Sequence, residues 1–296
     1  MIKISNFFIL IMLIFPINTF CQNINSYNID AKLNSQDNTV TINQVMKFKN
    51  TSTTSLNKIV LEDWANSYIN NRTSLAKRIS DEYSRSFTFA NKKQRGSTLI
   101  ESITSDNIKS WSKSNKTSDI INVFLKKELK KGESIEIEID YKVKLPDSKF
   151  TGYGFDNNNN YYLKNWLIVF SNISGSEWYS QSNLNLNDQS LKKSTYKMKF
   201  SFDKDYYLSS NLTINKTEII IDRKNVYLSG SDIKNVKINL LIDEKYRKFQ
   251  NINNEIETDI FKISSTEEAE IKVNRVNSFV KNYFNDNSNL KLLVPK

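Results

Sequence analysis

Apolar residues recur at every second position over most of this chain. Tyr27, Ile29, Ala31 and Leu33 alternate with polar neighbours, as do Val40, Ile42, Met46 and Phe48 across a polar gap at Gln44. Ile121, Val123 and Leu125 make a third run, and the longest holds Ile135, Ile137, Ile139, Tyr141, Val143 and Leu145. Later runs contain Met198, Phe200 and Phe202; Ile219 and Ile221; Val226 and Leu228; and Val236, Ile238, Leu240 and Ile242. A period of two puts one set of side chains on one face of a strand. Strands this numerous, separated by Asn, Ser, Asp and Lys turns, predict antiparallel sheets packed face to face. The expected fold class is mainly β, a twisted antiparallel β-sandwich over residues 22–245.

Two segments switch to helical spacing. Behind Thr73, the residues Leu75, Ile79 and Tyr83 stand four apart and predict a short amphipathic helix. Ser265 and Glu268 form a capping box, and Ala269, Val273, Val276, Val280 and Tyr283 then hold one helical face, predicting a helix from Thr266 to about Phe284. Leu290, Leu292 and Val294 return to strand alternation. One helix and one strand cannot bury a core of their own, so residues 246–296 read as the opening of a second, incomplete domain.

Composition narrows the function classes. At 39% hydrophobic and 12% aromatic, the chain of 296 residues has the means to build a core. The net charge of +10 comes from scattered lysines, without the clustered basic face that nucleic-acid binding wants. Lys3 followed by an apolar run from Phe7 to Ile17 reads as a secretory signal peptide, residues 1–21, with Thr19 and Cys21 as the small residues before a cut ahead of Gln22. Lipidation of Cys21 is the alternative, opposed by Phe20 and Asn18 beside it. No later stretch is apolar for long enough to span a bilayer as a helix. The expected localisation is secreted or periplasmic, at the cell envelope.

The chemistry on offer is narrow. There is no histidine, which removes imidazole zinc ligands, Ser–His–Asp triads and imidazole acid–base catalysis. Cutting behind the one cysteine would remove thiol nucleophiles as well. The acid pairs Glu62–Asp63 and Glu267–Glu268 invite a glycosidase reading. Adjacent strand residues point to opposite faces, however, and the second pair lies in a helix's first turn, where acids favour the macrodipole. The stretch "SKFTGYGFDNNNNYYLKNW" (148–166) has no third glycine for a phosphate loop. As a calcium loop opened by Asp156, it would have Tyr161 and Leu167 where glycine and glutamate belong. A polar loop tip remains the better reading.

The order of segments carries a resemblance. The runs "ELKKGESIEIEIDYKVKLPDSKFTGYGF", "YYLKNW" and "YLSSN", with Leu208-Ser-Ser-Asn211 as the last motif, resemble the N-terminal domain of the alanyl-aminopeptidase family of gluzincin zinc metallopeptidases. The tail "TEEAEIKVNRVNSFVKNYFND…LKLLVP" is similar to the start of that family's catalytic domain, and the likeness is nearest to secreted, divergent members of Bacteroidetes type. The resemblance implies a saddle-shaped β-domain in which 148–166 is a hairpin connection. It also implies that the following strand borders the site of the substrate's amino terminus. The residues there are Lys164, Asn165 and Trp166, with no acid, so Asn165 is the one candidate substrate-binding residue. The family's Gly-x-Met-Glu-Asn and His-Glu-x-x-His segments are absent, which implies a form truncated before the zinc site: no catalytic residue, no metal ligand and no cofactor in this chain. Peptide substrate or a separate catalytic segment would be its partner. Two other readings stand beside it. One is an exported peptide- or surface-binding module using aromatics around Tyr153, Tyr161, Trp166 and Trp178; the other is an enzyme working with carboxylates alone.

Overall fold

In a computed structural model, the described residues are 25–186 and 189–242. Beyond them lie the backbone of strands Tyr246–Gln250, Ile256–Lys262 and Leu290–Leu292, and residues 271, 275, 278, 279, 282 and 283. The body is mainly β. A seven-stranded sheet runs in the order Thr213–Ile220, Arg223–Ile233, Ser194–Asp203, Ser26–Asn34, Thr39–Lys49, Ser134–Lys144 and Ser97–Thr104. All its neighbours are antiparallel except the central pair, where Ser26–Asn34 lies parallel to Ser194–Asp203 with Ile29 opposite Met198. The expected mainly β, antiparallel sandwich holds, with this one parallel pair at the centre of its large sheet.

The alternation forecasts the buried face well. Ile135, Ile137, Ile139, Tyr141 and Val143 are all buried, while Glu136 and Glu138 between them face outward. The gap at Gln44 is filled by a polar side chain that is itself fully buried. Its Nε2 donates to the Ile168 carbonyl at 2.6 Å and its Oε1 accepts from the Tyr141 hydroxyl at 2.8 Å, which offsets the cost of burying the amide. Across the core, a four-stranded sheet orders Val169–Phe170, Leu56–Glu62, Ile120–Leu129 and Ile108–Lys113. Phe170 from this layer packs on Phe48 of the large sheet, with ring centres 5.2 Å apart. A third sheet, Tyr207–Ser210, Ile238–Leu241, Tyr161–Leu163 and Gly154–Phe155, closes one end.

Three expectations need correction. Ile219 and Ile221 sit on an edge hairpin, 63% and 86% exposed, because the strand Thr213–Ile220 has no layer above it. Ile242, at the end of its run, is also exposed. The early helix is Ser74–Asp81, capped by Thr73 accepting from the Ala76 amide at 3.1 Å. Leu75 and Ile79 are buried on it, whereas Tyr83 lies past its end in a left-handed conformation, 96% exposed.

The tail has more strand than expected. Tyr246–Gln250 pairs antiparallel with Ile256–Lys262, which pairs parallel with Leu290–Leu292. Residues 271, 275, 278, 279, 282 and 283 are helical, as forecast, and Phe279 stacks on Tyr283 at 4.5 Å. The signal segment 1–21, Ala269, Val273, Val276, Val280 and Val294 lie outside the described residues, as does the acid pair Glu267–Glu268.

Candidate functional site

The stretch 148–166 is the connection of a hairpin, with Gly154–Phe155 antiparallel to Tyr161–Leu163. Its tip is organised by Asp156, whose carboxylate accepts from the amides of Asn158 and Asn160 at 2.8 and 2.9 Å and from the Asn160 side chain at 3.1 Å. A carboxylate saturated in this way builds a turn; it leaves little for a cation. Asn160 in turn is buried and accepts from the Ile242 amide, tying the tip to the third sheet.

Upstream in this stretch, Gly152 and Gly154 both have positive φ, 73° and 116°. The pair turns Tyr153 inward until it is 1% exposed, and burial pushes its hydroxyl well above its ordinary pKa. Its ring lies 5.3 Å from that of Tyr68. A cavity of about 10 Å³ opens here, lined by Tyr68, Tyr153, Lys164, Asn165, Asn183 and Asn185. Asn165, the candidate read from sequence, lines it in a left-handed conformation (φ 53°), and its Oδ1 accepts from Asn235 Nδ2.

Beneath this cavity lies a group of buried acids. The strand Leu56–Glu62 ends at Glu62, and Asp63 starts a turn of 3₁₀ helix, Trp64–Tyr68. That change of direction buries both carboxylates, each 1% exposed, rather than sending them to opposite faces of a strand. Glu62 accepts from the Gln181 amide at 3.2 Å and from Gln189 Nε2 at 2.9 Å. Asp119, also 1% exposed, accepts from Ser182 Oγ at 2.8 Å and the Asn183 amide at 2.8 Å. Asp63 accepts from Thr98 Oγ1 at 2.7 Å, but its Oδ2 has no hydrogen bond, only Lys113 Nζ at 3.9 Å. Burial raises all three, pushing Glu62 and Asp63 up to about 7. Trp64 Nε1 adds a bond to the Gln181 carbonyl at 2.7 Å.

Glu62 and Asp119 pin the segment 181–185 and Gln189 against the 3₁₀ turn, and so hold Asn183 and Asn185 at the cavity. The oxygens of Glu62 and Asp119 are spent on internal donors, which makes those two positioning groups, whereas Asp63 Oδ2 has only the Lys113 ammonium near it. Sequence reasoning undervalued Glu62 and Asp63 by continuing the strand one residue too far; it gave no role to Asp119 or Lys164 and offered Tyr153 only as an exposed aromatic. A tyrosine between two glycines, in a chain with six glycines, was the available signal for Tyr153. The aromatics offered for surface binding do not form an exposed aromatic face: Tyr153, Tyr161 and Trp166 are buried and Trp178 is half-buried. A larger hollow of about 620 Å³ on the outer face of the seven-stranded sheet, beside Asp106, Glu136 and Glu138, is shallow and open.

No protein-family model matches the sequence, and a comparison with curated proteins gives no match. Solved structures do resemble it. A mutant of the M1 zinc metallopeptidase from Deinococcus radiodurans aligns over 93% of this chain at 9% identity and a TM-score of 0.54, and the same mutant bound to a Tyr-Ser-Ala substrate gives the same values. This chain spans 57% of the length of those structures. At that identity the likeness carries the fold: an aminopeptidase-like N-terminal β-domain.

Proposed function

We propose that this chain acts as a non-catalytic, aminopeptidase-like β-domain that supports and borders a peptide-binding site. The alignment of 93% of the chain with an M1 metallopeptidase carries the reading. Asn165, on the connection that follows the hairpin, is its candidate contact to peptide, working with a peptide or a separate catalytic segment as partner. Residues 1–21 would export it to the cell envelope, and no helix among the described residues is long and apolar enough to cross a membrane.

Zinc, which the similar structures' names imply, does not fit the described residues of this chain. Protein zinc sites draw on His, Cys and carboxylate ligands in groups of three or four. The chain has no histidine and one cysteine, and among the described residues no three His, Cys, Asp or Glu side chains are grouped to hold a metal ion. The buried acids Glu62 and Asp119 already accept hydrogen bonds from the segment they position. No chemical step is therefore routed through a metal.

The test is direct. Purified protein should contain no stoichiometric zinc by elemental analysis and should release no amino acid from short peptides. One zinc per chain together with amino-acid release would overturn the non-catalytic reading.

A further inference from the structure

The two edges of the seven-stranded sheet are finished differently. At one edge, in Ser97–Thr104, the Thr98 amide donates to Asn66 Oδ1 at 3.0 Å, so the 3₁₀ turn Trp64–Tyr68 closes that side. At the other, Thr213–Ile220 pairs with Arg223–Ile233 and, among the described residues, with no strand beyond it. A two-residue turn, Ile221–Asp222, joins those strands, with Ile221 at φ 57° as the primed hairpin turns require. Inward and outward backbone groups alternate along an antiparallel ladder. Counted from the closing pair Ile220–Arg223, the amides and carbonyls of Thr217 and Ile219 face the open edge.

An open edge carrying exposed apolar side chains is a template for another strand, and Ile219 and Ile220 are both exposed on this one. Lysines and bulges ordinarily guard such edges. Here the bulge falls between Ile214 and Lys216 and leaves 216–220 in regular register. The lysine is already neutralised, since Lys216 Nζ pairs with Glu218 Oε1 at 2.5 Å. The order of these charges then selects the partner. A strand placed on this edge by a two-fold axis runs antiparallel and meets its own copy. Centred on Thr217, whose outward groups can bond the same residue of the copy, the register sets Lys216 opposite Glu218 of the copy and Glu218 opposite Lys216. Charges of opposite sign directly across a pair are favourable. Centred one residue to either side, the register would set Lys216 against Lys216 or Glu218 against Glu218, and like charges so placed are unfavourable.

We propose that the strand Thr213–Ile220 is a self-association edge, on which a second copy of this chain pairs antiparallel about Thr217 and joins the two large sheets into one. Hydrogen bonds from the outward groups of Thr217 and Ile219 hold the pair, the alternating charges of Lys216 and Glu218 fix its register, and Ile219 and Ile220 gain the cover that no layer of their own chain gives them. The inference goes beyond the supporting-domain reading and does not depend on it, because none of these residues lines the cavity at Asn165.

The test is sedimentation velocity of the full chain over a range of concentrations. Monomer should pass to dimer with a dissociation constant on the order of tens of micromolar, as so small an interface implies. Lys216→Glu and Glu218→Lys should each weaken association about tenfold or more, because each turns both symmetry-related pairs into like charges. Mixed together, those two variants should associate about tenfold or more better than either alone, since every pair across the axis is then of opposite sign. Thr217→Pro removes an outward amide that the ladder to Arg223–Ile233 does not use, so it should abolish the dimer while the monomer melts within about 3 °C of the parent. A monomer at every concentration, growth beyond the dimer, a dimer that Thr217→Pro leaves intact, or no recovery on mixing the two charge variants would overturn the proposal.

Discussion

The buried acids make a prediction about pH with a definite sign. Asp63 titrates near 3.8 when solvated and at about 7 in the fold, because burial disfavours its charged form more than Lys113 and Thr98 support it. A group raised in this way binds more protons folded than unfolded between those two values, so stability falls as pH rises through the window and levels off above it. Between about pH 5 and pH 8, Asp63 alone should remove roughly 2–3 kcal/mol, a ceiling set by about 1.4 kcal/mol per pKa unit. Glu62, raised from 4.5 to about 7, acts in the same direction. The perturbation is Asp63→Asn, which keeps an oxygen for the Thr98 hydroxyl at 2.7 Å and cannot ionise. Urea unfolding followed by tryptophan fluorescence should show the variant gaining on the parent as pH rises, by about 2 kcal/mol or more over that range. At 2–4 °C per kcal/mol for a domain of this size, the gain corresponds to roughly 4–8 °C in melting temperature. Parallel curves for parent and variant, differing by a constant from pH 5 to pH 8, would show that Asp63 is ionised throughout and would refute the argument.

Other substitutions test separate parts of the fold. Gly154→Ala should destabilise by about 3 kcal/mol or more in urea unfolding, since its φ is 116° and a Cβ there would overlap the Pro146 carbonyl oxygen. Gln44→Leu should cost roughly 1–3 kcal/mol, because the buried Ile168 carbonyl loses its side-chain donor and the Tyr141 hydroxyl loses its acceptor. Ile79→Ala should cost about 2–4 kcal/mol while Tyr83→Ala stays within about 0.5 kcal/mol, as burial on the helix and full exposure beyond it require. Equal costs at 79 and 83 would restore the longer helix that spacing alone suggests.

How far the sequence could be read follows from where each side chain finds its partner. The run Ile135 to Val143 was legible because its whole dry face meets one core, so period two survives intact. Gln44 looked like a break in a strand; its partners Tyr141 and Ile168 are 97 and 124 residues away, and nothing local announces them. Ile219 and Ile221 carry the same alternation with no layer to cover them, so pattern could not separate a core strand from an edge hairpin. The parallel register of Ser26–Asn34 with Ser194–Asp203 is a choice between chain directions to which alternation is blind. In the tail, Tyr246–Gln250 escaped detection because a register shift between Arg247 and Phe249 breaks the alternation that would have marked it.

The site was less legible than the fold, and the two glycines explain why. "GYG" announces a turn, and a turn residue is ordinarily expected in solvent. Here Gly152 and Gly154 take positive φ on both sides of Tyr153, and Phe155 returns to bond the Pro146 carbonyl at 2.9 Å. The reversal is so close that position 154 has no room for a side chain. The residue between them is thereby driven inward to meet Tyr68 and the cavity. The glycines thus serve the tyrosine they enclose more than the loop they begin. Its hydroxyl, placed by backbone reversal, has no hydrogen-bond partner among the described residues, and neither do Asp63 Oδ2 and Trp166 Nε1. Burial first, and then the neighbouring Tyr68, Asp63 and Tyr141, raise the Tyr153 pKa well above the ordinary value, so the hydroxyl keeps its proton at the centre of the fold it helps to close.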